Sequence, residues 1–204
     1  MVRRFSLGLV ALSSLGLSFG CMSASFRDLT RKSFSAPEFT TNEMESGGIA
    51  FLPTVAGPEY ARSIDVTLID SFQNYHPGIT AVGGDESRRL LQEAGLVEDY
   101  SQLIDTYAKT AIVNKAVLSK MGGSLKARYL IYTRLLKYDE YKHPTKDQNI
   151  YELSIKAEIW DSRTGEAVWD ATGSGRMVQT LVDKPVTFDE ILLRVCDRMM
   201  SKLP

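Results

Sequence analysis

The chain is poor in the residues that staple, ligate or switch. Of its 204 residues only two are cysteine, Cys21 and Cys196, and only two are histidine, His76 and His143. Two cysteines cannot build the multi-bridge framework of a small secreted domain. The two histidines lie in polar, turn-like stretches with no further ligand at metal spacing, so no zinc set is in view. Neither sign of charge dominates, since 24 Lys and Arg face 25 Asp and Glu. Phosphate binding needs a basic face, so nucleic acid is not an expected partner. Catalytic signatures are missing as well. There is no Walker loop and no G-x-S-x-G elbow. Gly173-Ser174-Gly175 lacks a third glycine and follows a hairpin strand. Neither Ser nor Cys has a histidine base in a recognisable motif. No cofactor and no metal are expected. What remains is 44% hydrophobic and 24% charged, the composition of a globular domain with enough length to bury a core.

The one long apolar run lies at the start. Arg3 and Arg4 precede an uncharged stretch from Phe5 to Phe19, closed by Gly20-Cys21. This is the layout of a secretory signal, and it is shorter than the about 20 residues of a membrane span. Leu17-Ser18-Phe19-Gly20-Cys21 resembles a lipobox, with the leucine one position earlier than usual. The resemblance implies cleavage after Gly20 and lipidation of Cys21. It also implies several acyl chains, which anchor stably where one holds marginally. Met22, rather than an aspartate, implies the periplasmic face of an outer membrane by the same resemblance. Loss of residues 1–20 removes Arg3 and Arg4 and takes the net charge from −1 to −3. Cys196 then has no partner within the chain and reads as a small buried hydrophobe on the last helix.

The residues after the signal divide into a flexible tether at 21–47 and a single globular domain at 48–204. The tether reading rests on many polar residues with no sustained period. Gly48 to Thr54 reads as a buried strand. Ala61, Ile64, Leu68 and Phe72 mark an amphipathic helix opened by Pro58. Ile79 to Val82 reads as a second strand. Helices follow over 85–93, with Asp85 as cap, and over about 100–112. A third helix is capped by Asn114 and carries Leu118 and Met121. Ala127 to Tyr138 is a strand, and 139–149 a polar loop. Ile150 to Trp160 alternates strictly and is the clearest strand. The turn Ser162-Arg163-Thr164-Gly165 suits a bulged hairpin that pairs Ile159 with Trp169 and turns Ala167, Trp169 and Ala171 to the core. Thr187 and Glu190 form a capping box for a final helix. The expected fold is α+β. A mixed sheet begins with a strand–helix–strand unit, carries an antiparallel C-terminal hairpin, and is sandwiched by packed helices.

Three segments carry a family resemblance. They are Ile49-Ala50-Phe51-Leu52-Pro53, the stretch from Met121 to Ile131, and the hairpin from Ile159 to Trp169 with its D-x-x-T-G-E-x-x-W pattern. In this order, over roughly residues 48–203, they resemble the CsgG-like envelope lipoproteins. That group includes the curli secretion lipoprotein and lipoprotein activators of penicillin-binding proteins; the N-terminal domain of TolB is similar in outline. Channel members need amphipathic hairpins of about 9–11 residues per strand. Residues 139–149 are too polar for that and 99–112 run at helical spacing, so no pore is expected. The resemblance leaves a lipid-anchored, non-enzymatic binding or scaffold domain of the cell envelope. Its partners would be the membrane, through the lipid, and another envelope protein or further copies of itself. The rival readings are a subunit of an outer-membrane secretion complex and a small envelope hydrolase working through carboxylates. If helices cover only one side of the sheet, Tyr132, Leu136, Trp160 and Val168, with Arg134 beside them, would form an exposed aromatic–aliphatic interaction patch.

Overall fold

The computed structural model describes residues 24–180 and 183–204. The signal segment and Cys21 lie outside the described residues. Seven strands form one sheet in the order β1-β7-β6-β5-β3-β4, with β2 also paired to β7. The strands are β1 (Ser25–Asp28), β2 (Arg31–Ser35), β3 (Ile49–Phe51), β4 (Ala81–Val82), β5 (Tyr129–Lys142), β6 (Gln148–Asp161) and β7 (Ala167–Thr180). The helices are α1 (Thr41–Gly47), α2 (Pro58–Tyr75), α3 (Gly84–Glu93), α4 (Val97–Thr110), α5 (Lys115–Leu125) and α6 (Phe188–Met200). β3 is parallel to β4 and β5, while β5, β6 and β7 form an antiparallel meander. This is the expected mixed α+β sandwich.

Helices pack on both faces of the sheet, and each face carries its own core. Ile155, Ala157, Ile159 and Trp169 pack beneath α2 and α6 with Ile64, Leu68, Phe72, Leu192 and Val195. Ala50, Leu52, Leu130, Tyr132 and Trp160 pack beneath α3, α4 and α5. The helices sit where local chemistry starts and stops them. Pro58 opens α2. The Asn114 side chain accepts hydrogen bonds from the Ala116 and Val117 amides at the start of α5, and Thr187 caps α6 through the Glu190 amide. Asp85 lies in the first turn of α3 and does not cap it; the N-cap is Gly83. Gly165, at φ 79°, closes the β6–β7 turn. Ile159 pairs with Trp169 across the bulge, the register expected from the turn chemistry. Ala167 is an exception to that reading: it pairs with Trp160 and is exposed.

Two stretches differ from the sequence reading. Residues 139–149 are largely strand, because β5 and β6 pair out to Lys142 and Asn149. Their polar side chains reflect exposure of a projecting hairpin rather than loss of pairing. Residues 24–47 are not a tether. β1 and β2 pair in succession with β7, and α1 buries Met44 while Phe39 packs edge-on against Tyr129. Exposed edge strands show no burial period, so neither could be seen in the sequence. Gly173 and Gly175 let the layers close, since a Cβ at either would lie 2.9 Å from Val195.

Candidate interaction surface

α4 ends at Ala111, which adopts a left-handed conformation at φ 55°. Beyond it the second face of the sheet is not roofed by the α3–α5 core, and a network of aromatic and charged side chains marks the border. Tyr132 and Trp160 stack at 4.9 Å with an interplanar angle of 12°. Tyr107 from α4 stands edge-on to both, at 5.6 and 4.9 Å. The Glu158 carboxylate lies beneath them, 2% exposed. It accepts from the Tyr107 hydroxyl and from Trp160 Nε1, the latter at 3.2 Å. Lys156 pairs with Glu158 and reaches Asp170 at 3.1 Å. Burial, reinforced by Glu158, pushes the Tyr107 phenol upward. Burial opposes the charge on Lys156, but Glu158 and Asp170 outweigh it and raise its pKa. A buried carboxylate without partners would cost several kcal/mol; here three donors converge on it. The Tyr132 hydroxyl and Arg134 Nε, by contrast, are buried without a hydrogen-bond partner.

Further along the same face the side chains pair across strands. Lys137 and Arg176 both contact Glu152, at 2.8 and 2.6 Å. Tyr141 donates to the same carboxylate at 3.0 Å. Lys137 foremost, then Arg176 and Tyr141, outweigh burial and hold Glu152 down at about 2. At the opposite end of the sheet a groove of about 340 Å³ is lined by Gly122, Gly123, Lys126, Arg128, Ser162 and Arg163. Arg128 there joins Glu43 of α1 at 2.6 Å and Asp161 of the hairpin at 2.7 Å.

The expected patch is not an exposed surface. Trp160 and Tyr132 are buried in the second core, because α3–α5 cover that side. Val168 falls at the bulge and packs in the first core with Trp169. Leu136 alone stays exposed, at 45%. The structure therefore brings Tyr132 and Trp160 together and separates them from the other two. Tyr107 and Glu158 were not foreseen as partners. The alternation of β6 did put Glu158 on the Trp160 face, but a charged residue on a strand reads as solvated unless the helix above it is known.

The buried carboxylates Asp65, Glu158 and Asp161 are all held in hydrogen bonds or ion pairs. Asp65 is raised by burial, but it accepts from the Thr54 amide at 2.9 Å and pairs with Arg88 at 3.4 Å. It thereby latches the end of β3 to α2 and α3. Among the described residues no three His, Cys, Asp or Glu side chains converge on a metal position. Cys196 is fully buried, which pushes its thiol far up and leaves it unreactive. Among the described residues, no helix is long and apolar enough to cross a membrane.

The layered arrangement has a counterpart among solved structures. The chain shares its fold with PelC. The PelC dodecamer from Paraburkholderia phytofirmans matches with a TM-score of 0.53 at 13% identity, over 87% of this chain and 97% of that one. A lipoprotein from Neisseria meningitidis matches at 0.40 and 15% identity, over 72% and 92% of the two chains. The C-terminal domain of LpoB from Salmonella enterica matches at 0.41 and 15%, over 68% and 86%. No protein-family model matches the chain, and no curated protein matches it in sequence.

Proposed function

We propose that this protein is a lipid-anchored domain of the bacterial envelope that binds and scaffolds, and that its first partner is a further copy of itself. The observation that carries the reading is the agreement of the whole α/β/α body with a PelC subunit, over 97% of that chain, in a sequence that places a cysteine directly after a secretory signal. PelC assembles as a dodecamer; this chain offers a comparable rigid body for side-by-side association. Cys21 supplies the anchor, and Met22 directs it to the outer membrane on its periplasmic face. Confinement near a bilayer raises the effective concentration of a partner without any new contact. Catalysis has no part in this reading, since Glu158, Asp170 and Asp65 are held in ion pairs or hydrogen bonds that stabilise the fold. CsgG-like kinship and a secretion partner remain proposals of the same kind, resting on the three segments quoted above.

The test has two arms. Mass spectrometry of protein purified from membranes should find the mature N-terminus at Cys21 with acyl groups, and Cys21→Ser should release the protein from the membrane. Native mass spectrometry of the detergent-extracted chain should find a closed oligomer. A monomer at every concentration would refute self-assembly while leaving the anchor standing.

A further inference from the structure

The folded body begins almost at the anchor. Ala24 is buried and Ser25 already pairs with Val178 of β7. Three residues of chain reach at most about 11 Å. A flexible tether running to residue 47 would have let the domain wander by roughly 30 Å. The N-terminal end of the β1–β2 edge is therefore held within that reach of whatever surface holds Cys21. That edge has an unusual charge for this protein. Arg27, Arg31 and Lys32 are exposed along it. α6 lies alongside, with Arg194 5.7 Å from the Phe26 ring centre and Arg198 3.9 Å from Asp28. Asp28 and Glu190 pair with Arg198 and Arg194 on this flank, while Asp189 and Asp197 of α6 lie on its α2 side, Asp197 accepting from the Ser71 hydroxyl. Leu29 and Phe34, 44% and 47% exposed, stand among them. The chain from Cys21 onward is acidic overall, so the basic flank is a local exception.

We propose that the β1–β2 edge and the adjoining flank of α6 dock on an anionic phospholipid surface, as a second attachment beside the lipid. The proposal rests on lipidation of Cys21. Cations near an anionic leaflet each strengthen attachment by roughly five-fold. Exposed apolar side chains among them enter the headgroup boundary. The unpaired outer backbone of an edge strand, which otherwise invites pairing with another chain, is then covered by hydrated headgroups.

The experiment uses the acylated full-length chain in vesicles of two parts phosphatidylcholine to one part phosphatidylglycerol, with some lipid carrying a headgroup nitroxide. A fluorophore is placed at Ser33→Cys on the edge or, separately, at Thr164→Cys on the β6–β7 turn. Quenching at position 33 should exceed that at 164 several-fold. The difference should shrink in pure phosphatidylcholine, and in 1 M salt, where screening acts within about 3 Å. It should also shrink in the variant Arg27→Glu, Arg31→Glu, Lys32→Glu. Equal quenching at both positions in vesicle-bound, acylated protein overturns the docking alone. Self-quenching between copies at position 33 without lipid quenching assigns the edge to a second copy and also overturns it. A chain that carries no acyl groups and leaves the vesicles overturns the anchor, and the docking with it.

Discussion

Trp160→Ala separates a buried aromatic from an exposed one by the size of its effect. The indole is 0% exposed, stacked on Tyr132 and donating to Glu158. A buried aromatic of this size covers roughly 150–250 Å², and truncating one to alanine in a packed core costs about 3–5 kcal/mol. The loss of the Nε1 donor adds about 1–3 kcal/mol, because the Glu158 carboxylate stays buried with one donor fewer. Part of that is recovered if water enters the vacated space, so about 4–5 kcal/mol is expected in all. Trp160→Phe keeps most of the ring area and loses the donor, which sets it at about 1.5–3 kcal/mol. Leu136→Ala, at an exposed position in the bulge of β5, should stay within about 0.5 kcal/mol. Urea unfolding followed by far-ultraviolet circular dichroism measures all three, with m unchanged. Had these residues formed one exposed patch, Trp160→Ala and Leu136→Ala would cost similar, small amounts. A loss below about 1 kcal/mol for Trp160→Ala would refute the second core.

Gly175→Val should loosen the N-terminal edge. A Cβ there would lie 2.4 Å from the Phe26 ring and 2.9 Å from Val195, so about 1–3 kcal/mol is lost and proteolysis should speed up within residues 24–35. Gly123→Ala should do the opposite, because nothing lies within 4 Å of its added methyl inside α5; a gain of about 0.5–1 kcal/mol in thermal or urea unfolding is expected. Acid should weaken the fold through His76, whose pKa burial depresses below the ordinary 6.5. Between the depressed value and 6.5 the unfolded chain binds more protons, so stability is complete above about pH 6.5 and falls as pH drops through that window. His76→Gln should flatten the slope of urea midpoint against pH between 7 and 5; an unchanged slope would remove His76 as its cause.

Much of the fold was legible because its signals are local. The alternation of Ile150 to Trp160 fixed β6, and a four-residue turn ending in Gly165 fixed the register to β7. Caps at Asn114 and Thr187 placed two helix starts. The N-terminal strands were not legible, because β1 and β2 are exposed on nearly every residue. Pairing on one side through backbone groups leaves no trace in side-chain polarity. The interaction patch failed for a different reason. Trp160 and Tyr132 do share a face, as their strand positions require, but whether that face is covered depends on where α4 ends. Periodicity shows which residues of α4 are apolar and not which sheet face receives them.

The misplaced tether has the larger consequence for function. With 26 free residues, orientation relative to the membrane would carry no information. With three, a lipidated Cys21 would hold the N-terminal end of β1 close to the bilayer, and docking of the β1–β2 edge as proposed would point the opposite edge at β4 away from it. Six strands at about 4.8 Å spacing set those edges roughly 24 Å apart. In that orientation both faces of the sheet would stand upright, and copies anchored in the same leaflet would meet face to flank. The uncovered half of the second face, with Arg134, Lys156, Asp170 and the Glu152–Arg176 pair, would be turned sideways toward such a neighbour. A contact between that ledge and a different surface of the next copy is heterologous, and heterologous contacts close into rings when the rotation between copies divides the circle. A short leash of this kind, by holding every copy at one height and tilt, would remove most of the orientational freedom that association must otherwise overcome.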